Sequence, residues 1–183
     1  MGIFDDAKKA LERAGKRREV HGRRATQEVV TKKDETNYLG WIKLARTYVD
    51  ESNLEDTDAK LKATCTEKAV EFYKKAVATY SMEAEPYVFL SKHFEQRNPT
   101  VAAEVEVQGL QRIIIENEGG LREIRKAKQD GDKLEILAQL VLLCERYTKR
   151  TGDKSFKERL MPLVGGGKDG EEYDRLLALA SYA

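Results

Sequence analysis

Apolar residues recur along this chain at helical spacing and almost nowhere at the two-residue spacing of a strand, which predicts an all-α fold. Ile3, Phe4, Ala7, Ala10, Leu11 and Ala14 draw one stripe along a short amphipathic helix at the N-terminus. Gly15 and Gly22 break the pattern beyond that stripe, so residues 15–33 are expected as a broken helix or a loosely held arm. From Tyr38 onward Trp41, Leu44, Ala45 and Tyr48 share a face. The polar run DESNLEDTD at 50–58 reads as a loop. Leu61, Cys65, Ala69, Phe72, Tyr73, Ala76, Val77 and Tyr80 then fall on a single stripe, the clearest helix of the chain.

Pro86 suits a first helical turn, with Tyr87, Leu90 and Phe94 as its stripe. In NPTVAAEV, Asn98 is the expected N-cap and Pro99 the first helical residue. That helix is expected to reach about Glu116, with Gly119 and Gly120 ending it. A short basic helix over 121–129 would close at Asp130-Gly131-Asp132. Residues 133–150 place Leu134, Ile136, Leu137, Leu140, Val141, Leu142, Leu143 and Cys144 nearly all round, which predicts a heavily buried helix. A short helix around Phe156–Met161, stopped near Pro162, leads to a hinge at Gly165–Gly167. The last helix is expected from about Asp169, with Tyr173, Leu176, Leu177 and Ala180 on one side.

Part of this pattern repeats. Trp41-x2-Leu44-Ala45-x2-Tyr48 recurs as Tyr87-x2-Leu90-Ser91-x2-Phe94, and Ala69-x3-Tyr73 recurs as Ala103-x3-Val107. Ala69 and Ala103 stand 34 residues apart; Trp41 and Tyr87 stand 46 apart, 12 more, and the excess falls in the polar loop near 50–58. Over about 37–116 the chain thus resembles the tetratricopeptide repeat (TPR), whose helical hairpins repeat about every 34 residues. Both copies lack the closing proline and the glycine of that pattern. The resemblance implies TPR-like antiparallel hairpins in a short α-solenoid. It divides the chain into a basic N-terminal helical arm (1–36), two hairpins (37–118), and a divergent hairpin with a C-terminal capping helix (119–183). Ala69 and Ala103 would mark the close crossings of the two helices in each hairpin.

The resemblance also implies a partner-binding groove on the inner faces of the first helices, formed by Leu39, Ile42, Lys43, Arg46, Val49, Glu85, Val88, Phe89, Lys92 and Gln96. Ile42 and Val88 stand where a carboxylate clamp would need polar residues, so a mixed apolar and basic face suited to an amphipathic segment is expected. The competing expectation is that these residues pack against the chain's own terminal helices.

Charge alters this picture at one end only. Residues 1–33 carry ten Lys/Arg against five acids, net +5, leaving −4 for the remainder of a chain whose total is +1. The basic set Lys8, Lys9, Arg13, Lys16, Arg17, Arg18, Arg23 and Arg24 could meet nucleic acid, an acidic lipid surface or an acidic protein, or be a solvated face. No aromatic residue interleaves 8–24, against single-strand binding by stacking.

Catalytic signatures are missing from the sequence. LVGGGKD lacks the first glycine and the Ser/Thr of a phosphate loop. His21 and His93, the two histidines, have no cysteine or second histidine at metal-ligand spacing. Cys65 and Cys144 lie far apart among apolar residues, as core thiols rather than a disulfide or metal pair, which suits a cytoplasmic or other reducing compartment. No apolar run approaches the ~20 residues that span a bilayer, and the N-terminus has no apolar signal core. The expected function is a non-enzymatic protein–protein scaffold or adaptor without cofactor or metal, a small subunit of a larger assembly. Its partners would be a peptide, a helical segment or neighbouring subunits; a basic arm that binds nucleic acid or an anionic membrane is the alternative.

Overall fold

The interruption expected at Gly15 and Gly22 does not occur. In the computed structural model α1 runs unbroken through Ile3–Lys33. The structure describes residues 3–55, 57–126, 131–164 and 170–182, and the backbone alone at 3, 4, 6, 7, 124–126, 131–133, 181 and 182. Each mid-helix glycine costs about 1 kcal/mol relative to alanine. The burial of Val20 and Thr31 against the body and an ion pair from Arg24 offset that cost. All the described elements are helical.

The chain divides into two compact units, Met1–Ser81 and Met82–Ala183. In the first, α1 packs on α2 (Tyr38–Ser52), which packs on α3 (Ala59–Ala78). Asn37 caps α2 by accepting from the amide of Gly40, and Asp58 caps α3 by accepting from that of Leu61. The expected loop thus shrinks, because Asp50, Glu51 and Ser52 continue α2. The contacts fix direction. Thr31 lies against Gly40, Arg23 pairs with Asp50 at 2.9 Å, and Arg13 with Glu55 at 3.5 Å, so α1 and α2 are antiparallel. Between α2 and α3, Phe72 stacks on Trp41 and on Tyr48 with centroids 5.8 and 5.5 Å apart. Ala45, Ala69 and Ala76 are wholly buried where the two helices meet.

The second unit opens with the hairpin α4 (Glu85–Phe94) and α5 (Pro99–Leu110), Asn98 capping α5 as expected through the amide of Val101. A π-helical turn, Gln111–Ile115, extends α5, the Gln111 carbonyl accepting from the amide of Glu116. It ends at about Glu116 as expected, but Gly119 and Gly120 lie beyond that end, in the first turn of α6 (Glu118–Lys126). Gly131 and Asp132 do not close a helix, since α7 (Gly131–Thr151) begins there. Pro162 lies inside α8 (Ser155–Val164) instead of ending it, because Leu163 and Val164 beyond it are buried. The last helix, α9, spans Glu171–Tyr182 and buries Tyr173, Leu176 and Ala180. Asp130, Asp169 and the Gly165–Gly167 hinge lie outside the described residues. In this unit α7 is central, packing against α4, α5, α8 and α9.

The repeat carries a correction. Ala69 is wholly buried, but its expected equivalent Ala103 is half-exposed, and Ala102 is the buried residue. The small residues at the second crossing are Ala102 and Gly109, seven apart like Ala69 and Ala76, so the buried register recurs after 33 residues. A Cβ on Gly109 would stand 2.6 Å from the Tyr87 ring and 2.9 Å from Leu143, which marks a close approach of α4, α5 and α7.

Candidate functional site

Rotating the buried register of α5 by one residue uncovers a face. Thr100, Ala103, Val107 and Gln111 recur at helical spacing on it. Tyr147 and Thr151 of α7 form the facing wall, and the whole is a shallow, mostly apolar groove of about 600 Å³. Glu104 is the charged residue on its lining. Tyr147 is held in place: its hydroxyl donates to Asp153 at 2.9 Å, and its ring meets Phe156 edge-on.

Beneath the groove lies a closed charge network. Glu106 of α5 is fully buried. It accepts from Arg150 Nε at 3.1 Å and from the Ser91 hydroxyl of α4, with Arg146 Nε at 3.7 Å. Both arginines reach on to Glu95, at 3.1 and 3.3 Å. The Arg146 hydrogen bond, with the charges of both arginines, holds the Glu95 carboxyl below the usual range. The hydrogen bond to Glu106 raises Arg150 further.

The first unit has a counterpart. Glu51, about 5% exposed at its side chain, accepts from Arg24, from His21 Nε2 at 2.9 Å and from the Cys65 thiol at 3.4 Å. Burial pushes its pKa up, but the hydrogen bonds from Arg24 and His21 and the arginine charge overcome this and take it to about 2. Burial and the Glu51 carboxylate push the Cys65 thiol up to about 11, and burial alone dominates the rise of Cys144 to about 11, so both are inert thiols. Both are free and buried, as expected for core residues.

The expected groove residues are spread over several environments. On α2, Leu39, Lys43 and Arg46 are exposed, Val49 is half-buried, and Ile42 belongs to the core. On α4, Lys92 is exposed, Glu85 and Phe89 are half-buried, and Val88 is buried; Gln96, just beyond α4, is exposed. Ile42 and Val88 therefore offer no surface to a partner. The basic arm divides as well. Arg13, Arg23 and Arg24 pair with Glu55, Asp50 and Glu51, and the Arg24 guanidinium also lies 4.0 Å over the Tyr48 ring. Arg17 is half-buried, whereas Lys8, Lys9, Lys16 and Arg18 are exposed.

No family model, no curated protein and no solved structure matches this chain. Among the described residues, no cluster of three or more His, Cys, Asp or Glu is arranged to hold a metal, and no helix is long and apolar enough to cross a membrane. Motif spacing does not single out the two buried glutamates, although each interrupts an otherwise apolar stripe. Glu51 extends the Trp41, Leu44, Tyr48 face, and Glu106 falls between Ala102 and Gly109. A charged residue at a core position is the signal that marks them.

Proposed function

We propose that this chain is a non-catalytic scaffold with TPR-like hairpins, a small subunit of a multiprotein assembly that holds a helical segment of a partner protein. One observation carries the reading: the half-exposed Ala103–Val107 face of α5 forms an apolar groove beside the buried Glu106 ion-pair network. Small residues there let a helix backbone come close, and Tyr147 offers an aromatic wall. The partner segment this suits is an amphipathic helix with a narrow apolar side and a cation placed to meet Glu104. The packing of α2 on α3 and of α4 on α5, with small residues at each crossing, supports the TPR resemblance, while the 33-residue recurrence departs from the usual period. The two free thiols fit a cytoplasmic or other reducing compartment.

The test is affinity capture from native extract with the wild-type chain and with Ala103→Arg and Val107→Glu. A defined partner held by the wild type and lost from both variants, with their thermal unfolding unchanged, is the expected outcome. A wild-type chain that migrates at its own mass with nothing bound would end the scaffold reading.

A further inference from the structure

We infer that the N-terminal half of α1 is an interfacial anchor that lies on anionic lipid bilayers. α1 is 31 residues long, about 46 Å, while the antiparallel α2 beside it covers 15 residues, about 22 Å. Among the described residues, the ion pair nearest the start of α1 that ties it to the body is Arg13–Glu55, which leaves about ten residues of helix preceding it.

That stretch is amphipathic on its own account. Leu11 is 75% exposed, and Ala10 and Ala14 are exposed beside it; the same stripe in the sequence continues back to Ala7, Phe4 and Ile3. At about 100° per residue, the Ala10, Leu11, Ala14 stripe lies about a third of a turn round the helix from the packed face of Val20, Arg24, Gln27 and Thr31. An apolar stripe serving the fold of this unit would continue that packed face. This one points elsewhere.

Charge selects the occupant. The N-terminal half of α1, residues 3–18, holds six cations and three acids, Asp5, Asp6 and Glu12, a net of +3, and of the cations Lys8, Lys9, Lys16 and Arg18 are exposed. A second copy would set one +3 segment against another and be repelled. A nucleic-acid strand would make no use of the apolar stripe and finds no aromatic among the basic residues 8–24 to stack on. Among the described residues the stripe, Ala10, Leu11 and Ala14, is also convex, on the surface of one helix. A bilayer suits such a face. Its headgroup region takes up the shallow apolar side, while anionic lipids meet the lysines and Arg18.

The test uses the full chain in flotation with two vesicle types, phosphatidylcholine alone and phosphatidylcholine with about 30% phosphatidylserine. Binding is expected to the second only and to weaken as salt rises. Leu11→Glu should lower the affinity about tenfold. Lys8→Glu, Lys9→Glu and Lys16→Glu together should lower it at least a hundredfold, at about fivefold per cation. Circular dichroism checks that these exposed changes leave the helices intact. Equal binding to both vesicles, binding to neither, or retention by the triple variant overturns the inference. So does tight, salt-sensitive binding of a single-stranded RNA oligonucleotide by a chain that ignores both vesicle types. None of these substitutions touches α5 or α7, so the groove reading is judged separately.

Discussion

The two units answer one physical problem, a buried carboxylate, with different degrees of redundancy. In the first, the arginine described on Glu51 is Arg24, sent in by the helix that precedes the hairpin; His21 and Cys65 donate as well. In the second, Glu106 is met by the helix that comes after the hairpin. Arg146 and Arg150 lie one turn apart on α7, Ser91 donates as well, and Glu95 balances the second positive charge. Removing one partner of a buried pair is costly because it leaves an uncompensated charge in a medium that solvates it poorly. The cost should therefore depend on how many cations stay behind.

Arg24→Met gives the largest expected effect in this comparison, a loss of about 3–5 kcal/mol from the first unit. Trp41 is the chain's one tryptophan, so urea unfolding followed by its fluorescence reports on that unit. Arg150→Met should cost the second unit about 1.5–3 kcal/mol, because Arg146 and Ser91 still serve Glu106. Hydrogen exchange along α5 and α7 would measure it. Equal losses in the two units would refute the redundancy.

Packing at the two close approaches provides the next contrast. Gly109→Ala forces a methyl into the Tyr87 ring and Leu143, neither able to retreat in a three-helix junction, and should cost about 2–3 kcal/mol. Gly40→Ala meets a single methyl, Thr31 Cγ2, at 3.1 Å, and should cost less than about 1 kcal/mol. Thermal unfolding of the two variants side by side decides between a rigid and a yielding contact.

Acid gives the most selective effect. Glu51 in the folded chain titrates near 2, below its ordinary 4.5. The folded state therefore binds fewer protons than the unfolded state at moderately acid pH. The stabilisation is complete above the unfolded value and is lost as pH falls from about 5 toward 2. The urea midpoint seen by Trp41 should drop across that window, and Glu51→Gln should flatten the drop. An unchanged pH profile in that variant would show that the network is not coupled to folding.

Most helices are legible in the chain because periodic apolar stripes and capping residues act locally. Asn98 with Pro99, and the stripe from Cys65 to Val77, need no knowledge of the rest of the molecule. Two local stop signals fail for a shared reason. Gly22 and Pro162 carry penalties of about 1–3 kcal/mol each, and burial of nearby side chains, Val20 and Thr31 for the first and Leu163 and Val164 for the second, exceeds penalties of that size. The candidate groove is half legible. The small and apolar residues Ala103 and Val107 stand out in the sequence, but as a closed crossing; a one-residue slip turns that face outward.

What the sequence determined by itself was the all-helical class, the two aromatic-and-small hairpin motifs, the core thiols and the basic, amphipathic start of α1. These rest on residue type and spacing within a turn or two. Tertiary structure decided how the buried acids Glu51 and Glu106 are paired, which of Ala102 and Ala103 faces the core, and which arm cations are taken up by the body. Those choices depend on which helix arrives from a distant part of the chain, and an ion pair between residues 27 or 44 positions apart leaves no periodic trace in either segment.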